Sequence, residues 1–147
     1  MVEYRFDAEA ARDSLVRKIC EFAEKTGCRR VILGISGGKD SAVAAALCVR
    51  ALGADNVYGV MLPDGEQKDI SDSRLVCDSL NIHHRTVNIG QAHRALLSAV
   101  DAEVEGGPRW FAVDYSRESD INIGPRLRMT TLRYIAQAIG AFLCGTG

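Results

Sequence analysis

The sequence has no surplus of charge in either direction. Across 147 residues, 18 Lys and Arg stand against 19 Asp and Glu, a formal net charge of −1. Without a basic excess, a general nucleic-acid or membrane-surface binder is not expected, because such proteins must neutralise phosphates. No apolar run nears the roughly 18 residues that a transmembrane helix needs. The opening MVEYRFDAEAARD is charged and has no apolar core segment, so it is not a secretory signal. No two of the five cysteines (Cys20, Cys28, Cys48, Cys77, Cys144) have C-x-x-C spacing, and their number is odd. Neither a disulfide framework nor a zinc site is expected, and a reducing cytoplasm is the default setting. Cys48 and Cys144 stand in apolar runs and read as small core residues. The histidines carry no metal signature. His83 and His84 are adjacent, so on a strand their side chains diverge. His93 stands alone and reads as a surface or capping residue. Repeats and low-complexity tracts are missing as well.

What is there suits one soluble domain over 1–147, with 47% hydrophobic and 25% charged residues. Residues 7–26 read as a helix, with Leu15, Ile19 and Phe22 on one face and Gly27 as its stop. Residues 29–35, RRVILGI, read as a buried strand. The next helix, Asp40 to Leu52, is apolar nearly all round and is therefore expected to be buried. VYGVML (57–62) is a second strand ended by Pro63, and a loop over 63–69 leads to a helix from Ile70 to Leu80. His84–Ile89 reads as a third strand, 91–100 as a helix, and 141–147 as a fourth strand running into its own loop.

This alternation predicts parallel crossovers and an α/β fold: an open, doubly wound, Rossmann-like parallel sheet with helices on both faces. Residues 101–120 hold six acids against Arg109 and Arg117, and read as a solvated loop. Residues 121–147 hold Arg126, Arg128 and Arg133 and no acid, a place where an anionic ligand is welcome. Gly145-Thr146-Gly147 falls where a strand of such a sheet opens into a binding loop. The sheet is thus expected to be truncated after its fourth strand, and the chain to be the N-terminal part of a longer protein.

The sharpest feature is LGISGGKDSA, Leu33 to Ala42, between the first strand and the helix after it. Gly37 and Gly38 allow a tight turn and close backbone approach to a ligand. The backbone N–H groups of the turn converge at the positive end of a helix dipole, and Ser36 and Ser41 add hydroxyls. Phosphate suits this nest. Asp40 would repel a bare phosphate unless a divalent cation bridges the two, so the motif predicts a Mg-bound nucleotide phosphate. It is not a Walker loop: three residues rather than four separate Gly34 from Gly38, and Asp40 follows Lys39.

At these residues the chain resembles the pyrophosphate-loop ATPases of the adenine nucleotide alpha hydrolase-like fold, whose signature is SGGxDS after the first strand. Within that superfamily, GVMLPDGEQKDISDS (59–73) and NIGPRLRMTTLRYIAQ (122–137) resemble ammonia-dependent NAD synthetase, whose Asn-x-x-x-Arg-x-Arg-Met run is matched by Asn122, Arg126, Arg128 and Met129. The final CGTG is similar to that family's Gly-Thr at the end of the fourth strand. The resemblance implies a ligase that adenylates the carboxylate of nicotinic acid adenine dinucleotide with Mg-ATP. Ammonia then displaces AMP to give NAD. It implies that Gly34, Ile35, Ser36, Gly37, Gly38, Lys39, Asp40 and Ser41 hold ATP, with Asp40 as the Mg ligand and Asp40 and Ser36 closest to the chemistry. Ile35 and Leu62 would flank the adenine, and Thr146 would touch ATP. Asn122, Arg126 and Arg128 would serve the acid dinucleotide, and the molecule would be a homodimer. Arg126 and Arg128 lie about 200° apart on a helix, so both cannot grip one small group. Full-length members continue well past the Gly-Thr with further ATP and Mg contacts, which implies that these residues alone are catalytically impaired. Two other readings stay open: another amidating or sulfur-transfer enzyme of the superfamily, and a non-catalytic nucleotide-binding or dimerisation module.

Overall fold

A computed structural model describes residues 6–66, 70–105, 107, 108 and 117–145, with side chains in the last stretch from residue 121. The first helix, α1 (Ala8–Thr26), opens on Asp7, whose carboxylate accepts the Ala10 N–H at 3.0 Å. It closes on Gly27 in the left-handed region, whose N–H returns to Glu24 O. There follow β1 (Val31–Gly34), α2 (Lys39–Leu52), a short 3-10 turn, β2 (Val57–Met61), α3 (Ile70–Ser79), β3 (His83–Thr86), α4 (Gly90–Val104), α5 (Arg117–Ile139) and β4 (Phe142–Cys144).

The four strands form one parallel sheet in the order β3-β2-β1-β4. Alternate residues feed two cores. Val31, Leu33, Val57 and Met61 pack with Ala45, Cys48, Leu52 and Cys77 beneath α2 and α3. Ile32, Val60 and Leu62 pack with Ile89, Leu132 and Ala136 on the α4–α5 side. The period of two seen in β1 and β2 is what a strand buried on both faces requires. It sends His83 and His84 opposite ways: His83 stacks on Tyr58 at 5.1 Å, and His84 Nε2 lies 3.1 Å from Asp78 Oδ1. Among the described residues, no helix is long and apolar enough to cross a membrane.

Several elements differ from the expectations of periodicity. Helix α2 is not enclosed. Only Ser41, Ala45, Cys48 and Leu52 are buried, while Val43 is 59% exposed, because α2 has the sheet on one side only and α1 covers just part of the other. In α1, Leu15 and Phe22 stay about half exposed, and Ala23 is the buried anchor. Phe22 instead rests edge-on against Phe142 of β4, with ring centroids 5.1 Å apart. The third strand ends at Thr86, not Ile89. Beyond it the backbone binds the loop after β2, through Val87 N to Met61 O and Ile89 N to Pro63 O. Helix α4 runs to Val104 and takes Asp101 and Glu103 out of the expected acidic loop. Helix α5 starts at Arg117, so Pro125 lies inside it and not in the first turn. Proline has no N–H, so the helix loses one of its backbone bonds at that level.

Candidate functional site

Two crossovers set the place of the site. From β1 the chain moves to β2 on one side, and β4 later returns on the other, so β1 and β4 flank the topological switch point. Open α/β sheets form their ligand crevice at such a point, outside the carboxyl ends of the strands. The glycine loop leaves β1 there.

The loop is braced from within. Ile35 N–H extends the ladder to Val60 O at 2.9 Å. Ser36 N–H donates to Ser41 Oγ at 3.3 Å, and the Ser41 hydroxyl donates to Gly38 O at 3.0 Å. That leaves the Ser36 hydroxyl to donate to Ser41 Oγ at 3.2 Å while accepting the Gly38 N–H at 3.3 Å. Both hydroxyls thus hold the turn itself, with Ser41 buried and Ser36 exposed. Gly37 has φ +79°, and a Cβ there would lie 3.2–3.3 Å from Asp72 Cβ, Ser73 N and Ser73 Oγ. Glycine is required at this position both for conformation and for space. Gly38 is the N-cap of α2 with no side-chain cap bond, so the first N–H groups of that helix are open to an anion. Lys39 and Asp40 lie in its exposed first turn.

Over this loop lies a cavity of about 390 Å³. It gathers six of the residues expected from sequence: Gly34, Ile35, Ser36, Ser41, Leu62 and Arg128. Its apolar end is built from Val60, Met61, Ile70 and Leu132, and Ser73 closes the side toward α3. Gly37, Gly38, Lys39 and Asp40 do not line it, and neither do Asn122 and Arg126, both exposed on α5. Thr146 lies outside the described residues. The angular argument about the two arginines holds: Arg128 turns into the cavity wall and its Nε donates to Leu62 O at 2.9 Å, while Arg126 faces solvent.

Sequence reasoning missed several members of this region. Leu132 was visible only as part of an apolar helix stripe. Ser73 is 1% exposed, one turn from both Ile70 and Cys77, so it is a polar residue on a core face. His93 is neither a surface residue nor a cap: its Nδ1 lies 2.6 Å from Asp64 Oδ2, and the pair is mostly buried. A histidine in the first turn of a helix gave no sign of a partner 29 positions earlier.

Behind the loop, Cys144 at the end of β4 is held at about 7, below the ordinary thiol range, by the neighbouring Cys48 thiol. Cys48 is pushed up by the same pairing and by burial. Burial also raises Cys77. Among the described residues no group of three or more His, Cys, Asp or Glu side chains is placed to hold a metal ion.

Comparison with known proteins bears on these features. The family model described as NAD synthase matches residues 12–147. The NH(3)-dependent NAD(+) synthetase of Pyrococcus furiosus is 33% identical over 134 residues, covering 91% of this chain and 48% of that protein. Among solved structures, NMN synthetase from Francisella tularensis superposes with a TM-score of 0.81 at 27% identity, over 97% of this chain and 56% of that one. The NH3-dependent NAD synthetase from Campylobacter jejuni superposes with a TM-score of 0.76 at 26% identity, over 97% of this chain and 58% of that one. The chain therefore spans about half the length of the curated relatives it matches.

Proposed function

Because the chain belongs to the NAD synthase family, we propose that it carries the nucleotide-binding part of an ATP-dependent amidation. In that reaction the carboxylate of nicotinic acid adenine dinucleotide attacks the α-phosphate of ATP and expels pyrophosphate. Ammonia then adds to the acyl-adenylate carbonyl, and AMP leaves as NAD forms. One observation carries this reading. The cavity of about 390 Å³ has a glycine loop and a helix N-terminus at one end and an apolar lining at the other. A nucleotide has that same division, a phosphate chain joined to a flat base.

In this arrangement the backbone N–H groups from Ser36 to Ser41 bind the phosphates, and the prebraced turn spends no ordering energy when they arrive. Ile35 and Leu62 lie against the adenine, and Thr146 completes the ATP contacts. Asn122 and Arg126, on the outer side of α5, are the groups offered to the acid dinucleotide. Ile121, Met129 and Tyr134 are exposed on the same helix and supply the apolar surface that a homodimer would cover. Magnesium suits this donor set. It binds through one or two carboxylates while keeping water and phosphate oxygens, and Asp40 is one exposed carboxylate in the first turn beside the loop. When bound there, the ion neutralises charge on the phosphates.

The acceptor has a second candidate, since the Francisella tularensis relative is an NMN synthetase. The experiment is pyrophosphate release from Mg-ATP by the whole protein, with either nicotinic acid dinucleotide or mononucleotide and ammonia. Release that depends on the dinucleotide supports the reading. Release that depends on the mononucleotide moves the acceptor, and no release with either contradicts the amidation.

A further inference from the structure

The segment after β2 is held from three directions by side chains that the nucleotide reading leaves without a role. From α5, Arg128 Nε donates to Leu62 O at 2.9 Å. From the β3–α4 connection, Asn88 Nδ2 donates to Gly65 O at 2.8 Å, and its Oδ1 accepts the N–H groups of Gly65 at 3.1 Å and Gly90 at 2.9 Å. From α4, His93 Nδ1 meets Asp64 Oδ2 at 2.6 Å. The backbone adds Ile89 N to Pro63 O at 2.8 Å. Residues 62–65 therefore have a partner at every position, although they form a loop.

Such density of hydrogen bonds is unusual for a connection, where backbone groups commonly go to water. Asn88 mimics a strand partner by pairing with both the N–H and the C=O of Gly65. His93 offers no other hydrogen bond that explains its burial, since its Nε2 is shielded from solvent and unpartnered. A buried, unpartnered ring nitrogen is a cost that the Asp64 bond offsets. Gly124 of α5 is near both branches: a Cβ there would lie 3.4 Å from Arg128 Nη1 and 3.5 Å from Asp64 Oδ2. The Arg128 and His93 branches thus meet around one point of α5.

We propose that Arg128, Asn88 and His93 are positioning residues that preset residues 62–65 as the wall of the nucleoside end of the cavity. The inference rests on the nucleotide reading for what occupies that end. It assigns Arg128 to the wall and not to a ligand anion: its Nε is committed to Leu62 O, and it acts on the ligand through Leu62. His93 and Asn88 act at greater remove, through Asp64 and Gly65.

Two measurements separate this claim from the reading on which it rests. The first needs no ligand. Amide hydrogen exchange at Gly65 and Ile89 is compared in wild type, His93→Leu and His93→Asn, with Ala42 in α2 as reference. Asn places an amide nitrogen near the position of Nδ1 and can keep the bond to Asp64. H93L is expected to speed exchange at Gly65 and Ile89 at least about tenfold, in line with loss of a charge-assisted hydrogen bond, with H93N near wild type and Ala42 unchanged in both. Unchanged exchange at Gly65 in H93L, or equal acceleration at Ala42, overturns the proposal. The second is calorimetric binding of adenosine and of inorganic pyrophosphate to H93L, Arg128→Lys and wild type. Both variants should lose about tenfold in adenosine affinity and keep pyrophosphate affinity within about twofold, because lysine keeps the charge and loses the Nε bond. If R128K binds adenosine normally, or either variant loses both ligands equally, the positioning role is wrong. If wild type binds neither ligand, the nucleotide reading fails, and the exchange result alone decides whether the wall is preset.

Discussion

Gly37 shows how much one residue can decide. Its φ of +79° and the 3.2–3.3 Å approach of Asp72 and Ser73 to a would-be Cβ place two independent demands on one position. Gly37→Ala is expected to destabilise by about 2 kcal/mol, from the left-handed backbone and the crowding together. A lower denaturation midpoint in urea checks this, and an unchanged midpoint contradicts it. Cys144 gives a second test. Its thiol is held at about 7 by Cys48, so thiolate forms as pH rises through that value and is lost as pH falls below it. Alkylation of Cys144 by iodoacetamide, followed by peptide mass, should rise steeply between about pH 6 and 8. Cys48 and Cys77, both buried and pushed up, should stay unmodified over that range. At this scale the sequence was informative where a residue type has one conformational use. SGGKDS could be placed as a phosphate turn because glycine pairs and a following acid have few other joint explanations. His93 could not be placed, because its meaning lies in Asp64, 29 residues away and brought near by folding.

Elements were legible in kind, and less so in extent. The helices and strands follow the alternation expected, since apolar runs bounded by glycine leave little choice. Their ends depend on tertiary partners. β3 stops at Thr86 because the next residues bind the loop after β2. α5 begins eight residues before Pro125, against the preference of proline for the first turn. Helix α2 is the instructive case: an apolar surface all round suggested burial all round, yet one stripe only meets the sheet. The difference can be measured. Leu52→Ala, at a 6% exposed position, should cost about 2–5 kcal/mol in chemical denaturation. Val43→Ala, at 59% exposure, should change stability by less than about 1 kcal/mol. Comparable losses at both positions would show that the outer side of α2 is covered in solution.

At the scale of the whole molecule, the strand order β3-β2-β1-β4 puts the glycine loop, the α2 N-terminus and the loop after β2 around one crevice. The parallel, doubly wound sheet was predictable from alternation and from the handedness of crossovers. The strand order was not, because nothing local to β4 says that it returns beside β1. Six of the expected site residues converge on the cavity, and the two exposed on α5, Asn122 and Arg126, stand apart from it. That separation suits a reaction with two substrates. The central claim is that this crevice binds Mg-ATP through the glycine loop with Asp40 as the metal ligand. Calorimetric titration of this chain with ATP, in magnesium and in chelator, on wild type and Asp40→Asn, tests it most directly. The account predicts saturable one-to-one binding, about tenfold tighter with magnesium, and loss of that magnesium advantage in D40N. Absence of saturable binding, or a magnesium advantage undiminished in D40N, would contradict it.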